Sequence, residues 1–135
     1  MTTVLFACVH NAGRSQMAAG FFNALAHPAK ARAISGGTRP AERVNPVVVE
    51  AMREAGIDLS SEQPTLLTPE LARQAQWLIT MGCGDECPLI PGVTRDDWPL
   101  DDPAGQPLER VRGIRDDIRR RVHTLVTREG LASTL

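Results

Sequence analysis

Short, unbroken apolar runs alternate along this chain with stretches in which apolar residues return every three or four positions. Residues 3–7, TVLFA, are β-branched and aromatic with little polar relief, the pattern of a strand buried on both faces. From Ser15 the spacing changes: Met17, Phe21, Phe22 and Leu25 recur at helical intervals until His27-Pro28 ends the run. ARAIS, at 31–35, predicts a second strand closed by Gly36-Gly37. Asn45-Pro46 is a helix start, with Asn as cap and Pro at the first helical position. That helix carries Val47, Val48, Ala51 and Met52 as far as Gly56.

Thr68-Pro69-Glu70 opens a further short helix in the same way, and WLITM at 77–81 predicts a third buried strand running into GCGDECP. The proline-rich stretch from Pro88 to Pro107 predicts a long loop with one short strand near Trp98. A last amphipathic helix follows, with Leu108, Val111, Ile114, Ile118, Val122 and Leu125 in one stripe and Arg119 and Arg120 on a solvated face. Strands alternating with helices predict an α/β fold: one domain over residues 1–135, with about four parallel strands and helices on both faces.

Composition narrows the classes. At 135 residues, with 42% hydrophobic and 23% charged residues, the chain has the make-up of an ordinary globular domain. A net charge of −1 provides no global field for nucleic acid or an anionic membrane. No apolar stretch approaches the roughly 20 residues that span a bilayer, and MTTVLFACVH resembles a first strand more than a signal peptide. The expectation is a cytoplasmic protein whose three cysteines are reactive or metal-bound rather than cross-linked.

Cys8 ends the first strand, six residues before Arg14, with loop chemistry between them. It could simply be a small hydrophobe packed at a strand end. Its setting points to more. In parallel sheets, ligands bind outside the carboxyl ends of strands, and both Cys8 and Cys83 follow strands that would open on one edge. Loop N–H groups from Val9, His10, Asn11, Ala12 and Gly13, with Arg14 and Ser15 at a helix N-terminus, make an anion nest. Gly13 is expected where the backbone crowds a ligand. Arg14 would add a two-pronged guanidinium, and positive surroundings favour a thiolate at neutral pH. Ser15 serves equally as a helix cap or as a donor to that thiolate.

Cys8-Val-His-Asn-Ala-Gly-Arg14-Ser15 resembles the phosphate-binding loop of the low-molecular-weight protein tyrosine phosphatase superfamily. Asp102-Pro103, ahead of the final helix, looks like its general-acid Asp-Pro. The stretches SQMA at 15–18, SGGTRP at 35–40, VNP at 44–46 and MGCGDECP at 81–88 resemble its arsenate reductase branch, in order along nearly the whole chain. The resemblance implies that the Cys8 thiolate attacks arsenate, Asp102 protonates the departing oxygen, and Arg14 with the loop amides stabilises the transition state. It further implies that Cys83 attacks the adduct and Cys87 takes over the disulfide, regenerated by thioredoxin or by a small thiol of the mycothiol or bacillithiol type. No cofactor is implied. Some members hold potassium with a first-helix glutamate; this chain has Ala19 there, so no metal site is expected.

Other residues have plainer alternatives. Asp102 could cap a turn, with the adjacent Asp101 as the acid instead. His10 could tune Cys8 or merely expose its ring, while His27 and His123 belong on the surface and Trp77 and Trp98 serve as anchors. A phosphatase acting on phosphotyrosine or small phosphate esters is a rival, although Ala104-Gly105 stands where such enzymes place substrate-sandwiching aromatics. A zinc-binding sensor built from Cys8, His10, Cys83 and Cys87 is another, but its spacings are unlike those of zinc knuckles.

Overall fold

In the computed structural model, which describes residues 1–82 and 90–133, β1 (Thr2–Cys8) is the second strand of a four-stranded sheet. β2 (Ala31–Gly37) lies on one side of it, and β3 (Trp77–Thr80) and β4 (Thr94–Asp97) on the other. All pairings are parallel, with Cys8 opposite Gly37 and Ala7 opposite Thr80. The chain leaves β1 toward β2 and returns across it to β3, so the direction of winding reverses beside the carboxyl end of β1.

The helices follow the expected boundaries closely. α1 (Arg14–Leu25) starts one residue ahead of Ser15, and α2 (Pro46–Glu54) is capped by Asn45, whose Oδ1 accepts from Val47 N–H at 2.9 Å. α3 (Pro69–Arg73) is capped likewise by Thr68, and α4 (Leu108–Arg128) closes the fold. β4 has the sequence TRDD, so its existence follows from pairing rather than from apolar pattern. Trp98, directly after it, is the apolar anchor: it is buried, and its ring lies 5.6 Å from that of Phe6.

Strand alternation sorts β1 into two faces. Val4, Phe6 and Cys8 join the larger core with Phe22, Met52, Ile118 and Val122 from the helices, while Leu5 and Ala7 meet Ala72 and Leu78 on the other side. Helices therefore cover both faces, as the alternation predicted. Phe6 and Phe22 meet edge to face at 6.0 Å, and burying a side chain of this size contributes about 1.5–3 kcal/mol. Cys8 is thus the last residue of a rigid, doubly covered strand.

Candidate active site

Beyond Cys8 the backbone is tied to the segment after β2. The carbonyls of Cys8, Val9, His10 and Ala12 accept from the N–H groups of Thr38 (3.3 Å), Arg39 (2.8 Å), Ala41 (3.0 Å) and Asn45 (2.8 Å). Asn11 takes a left-handed conformation, φ +49°, which asparagine tolerates better than most residues. With the carbonyls engaged, the N–H groups from Val9 to Gly13 have no acceptor among the described residues. A run of such donors leading into the N-terminus of α1 is an anion nest.

Buried side chains fix the polarity at the sulfur. Asn11 Oδ1 accepts from Thr65 N–H at 2.8 Å and from Gln16 Nε2 at 3.1 Å, so its amide nitrogen is the end that faces Ser15. Asn11 Nδ2 donates to Ser15 Oγ at 2.7 Å. Ser15 Oγ also lies 2.9 Å from Cys8 Sγ, and against a Cys8 thiolate, which has no hydrogen to give, the hydroxyl is the donor. Ser15 is therefore the sulfur's hydrogen-bond partner and not the helix cap: α1 is capped by Gly13, without a side-chain hydrogen bond. Sequence reasoning missed Thr65, because a backbone N–H leaves no signature in residue type.

Arg14 is 7% exposed, a buried cation that needs partners. Its Nη1 donates to Leu100 O at 3.3 Å, and its Nη2 lies 3.7 Å from Asp102 Oδ2. Asp102 Oδ1 meanwhile accepts from Ala104 N–H at 2.9 Å, so the residue both caps the turn around Pro103 and faces Arg14. Pro103 also bears on Gly13: a Cβ there would lie 2.6 Å from Pro103 Cγ, so the glycine accommodates the Asp102-Pro103 turn.

These groups open on one cavity of about 230 Å³, lined by Cys8, Arg14, Arg43, Asn45, Asp102 and Pro103. Asp101 is elsewhere, exposed, with its carboxylate 3.5 Å from Arg110 in a groove along α4. His10 also lines the cavity, with its Nδ1 at 3.1 Å from Arg39 O in an exposed contact. Arg119 is less idle than a solvated face suggests, since its guanidinium lies over the Phe21 ring at 5.8 Å. Cys83 and Cys87 lie outside the described residues. No helix among the described residues is long and apolar enough to cross a membrane.

The family model for the low molecular weight phosphotyrosine protein phosphatase matches residues 3–133. Arsenate reductase 2 of Staphylococcus haemolyticus is 35% identical over 130 residues, covering 93% of this chain and 97% of its own. The thioredoxin-dependent arsenate reductase of Corynebacterium glutamicum superposes with a TM-score of 0.81 at 35% identity, over 94% of this chain. This chain spans 61% of that protein's length. A structure of an arsenate reductase in the phosphate-binding state aligns at 33% identity and TM-score 0.79, covering 95% and 98% of the two chains. The chain thus belongs to the low molecular weight phosphotyrosine protein phosphatase family, among its arsenate reductases.

Proposed function

We propose that this protein reduces arsenate to arsenite through a covalent adduct on Cys8. The observation that carries the reading is the shared cavity: a sulfur hydrogen-bonded to Ser15, a nest of loop N–H groups, the Arg14 guanidinium and the Asp102 carboxyl converge there. The Cys8 thiolate attacks the arsenic(V) of hydrogen arsenate, and an arsenate hydroxyl leaves as water after taking a proton from Asp102. Arg14 and the loop amides carry the negative charge of the equatorial oxygens. Small residues at the mouth, Ala41 and Ala104, offer no aromatic clamp for a phosphotyrosine ring and suit a bare tetrahedral ion.

The second half of the reaction needs two electrons. Cys83, as thiolate, attacks the Cys8 sulfur; the S–S bond forms as the S–As bond breaks, and its electron pair stays on arsenic, which leaves as arsenite. Cys87 then attacks Cys83, releasing the Cys8 thiolate and leaving a Cys83–Cys87 disulfide for a dithiol such as thioredoxin to reduce. Such a relay suits a reducing compartment such as the cytoplasm, and the thioredoxin-dependent relative supports this choice of reductant over a small thiol.

The test is arsenate-dependent turnover with a thioredoxin system and with small thiols, supplied separately. Turnover with thioredoxin is expected, with none for Cys8→Ser, because an unactivated hydroxyl cannot replace a thiolate. Peptide mapping without reductant should find a Cys8–Cys83 bond in Cys87→Ser after one turnover. Free thiols at Cys83 and Cys87 in the parent, with full turnover on a small thiol, would refute the relay.

A further inference from the structure

Arg14 owes its place to more than its two polar partners. At the exit of β3, Gly82 has φ +88°, the left-handed region that disfavours side chains. The guanidinium lies over this glycine: a Cβ built on Gly82 would overlap Arg14 Nη1 and approach its Cζ to 3.2 Å. Across the same nitrogen stands Leu100 O, which it holds at 3.3 Å, and beyond Nη2 stands Asp102. Neighbouring Met81 is fully buried, and its N–H is bonded to Ala7 O at 2.8 Å, so the backbone carrying Gly82 is anchored to the nucleophile's own strand.

We propose that Gly82 is a positioning residue for Arg14: its bare Cα is the wall against which the guanidinium is set to receive the oxyanion. This rests on the reading of Arg14 as an oxyanion holder. A side chain at Gly82 would leave the core intact, because the group it meets is the far end of a long side chain. The guanidinium yields instead, and it must then release Leu100 O or turn its paired donors out of line. A two-pronged contact is sensitive to such a move, since a displacement of about 1 Å can cost up to about a hundredfold in rate.

The experiment measures how well inorganic phosphate, the tetrahedral isostere of arsenate, protects Cys8 from alkylation by iodoacetamide, alongside thermal unfolding. Gly82→Ala should weaken protection by about tenfold or more. Gly92→Ala, at φ +80° with open space around its Cβ, shares the backbone strain and should leave protection within about twofold. Gly82→Asn, which tolerates left-handed backbone but carries the same Cβ, should show the loss of Gly82→Ala and covers the case in which the alanine variant does not fold. In an Arg14→Lys background, Gly82→Ala should add less than about threefold, because the atoms it displaces are gone. Protection within about twofold of the parent in Gly82→Asn, or an undiminished loss in the lysine background, overturns the proposal. An Arg14→Lys variant that holds phosphate as well as the parent overturns the underlying reading of Arg14, and this inference with it.

Discussion

At the scale of single residues, the chemistry depends on which way a few hydrogens point. Asn11 donates to Ser15 Oγ at 2.7 Å and holds the hydroxyl beside Cys8, so Ser15→Ala removes from a Cys8 thiolate its side-chain donor among the described residues. We expect Ser15→Ala to slow arsenate-dependent turnover by roughly tenfold, about one charge-assisted hydrogen bond, with slower alkylation of Cys8 at neutral pH. Unchanged rates in both assays would mean that the loop amides alone hold the thiolate. The acid can be identified in the same way. Asp102 faces Arg14 across the cavity, whereas Asp101 pairs with Arg110 outside it. Asp102→Asn should lower kcat by about a hundredfold, the usual weight of one general acid, with oxyanion affinity nearly intact. Asp101→Asn should behave as the parent; a larger loss there than at Asp102 would move the role one residue.

At the scale of elements, patterning foretold most of what the fold contains, and its failures have identifiable causes. The apolar runs of β1 and β3 and the stripe of α4 are written in residue type, because those elements are held by burial. The Asn45-Pro46 and Thr68-Pro69 starts were legible because capping is local chemistry. β4 was legible only as a strand near Trp98: TRDD is held by backbone pairing to β3, and the burial that fixes it is supplied by the next residue. The site divides likewise. Cys8, Arg14 and Ser15 stand together in the sequence, whereas Thr65, Leu100 and Gly82 act through backbone atoms or through having no side chain, which composition cannot reveal. The join between α2 and α4 was also silent. Arg112 forms two hydrogen bonds to Glu54, at 2.9 and 2.6 Å, and Arg115 bonds both Glu54 and the Ala51 carbonyl. The Arg112 hydrogen bonds, with Arg115 in support, hold the Glu54 carboxyl down from 4.5 to about 2. A depressed carboxyl contributes stability that is complete above the unfolded value and lost as pH falls through the folded one. Urea midpoints of the parent should therefore fall more steeply than those of Glu54→Gln between pH 4.5 and about 2. Parallel slopes would show that this exposed join contributes nothing to folding.

At the scale of the whole molecule, charge is balanced almost to neutrality, with 15 Lys and Arg against 16 Asp and Glu. Nothing in that sum draws in a multiply charged anion, so any steering of arsenate must come from the neighbourhood of the cavity. Arg14 is buried and already faces Asp102, which leaves little of its field at the surface. Arg43 is different: it is exposed, lines the same cavity, and makes no ion pair or hydrogen bond among the described residues. It rides on the segment whose Ala41 and Asn45 N–H groups are bonded to the loop carbonyls of His10 and Ala12, so its position is tied to the nest beneath it. A cation so mounted acts on approach rather than on the chemical step. Arg43→Glu should lower kcat/KM for arsenate several-fold at low ionic strength while leaving kcat nearly unchanged. The deficit should shrink as salt rises toward 0.15 M, where the screening length is about 8 Å, because the interaction is exposed and acts at a distance. Comparing Arg43→Glu with the parent across a salt series separates this from a contact role: a deficit independent of ionic strength, or one carried in kcat, would place Arg43 against the bound ion instead of at its entrance.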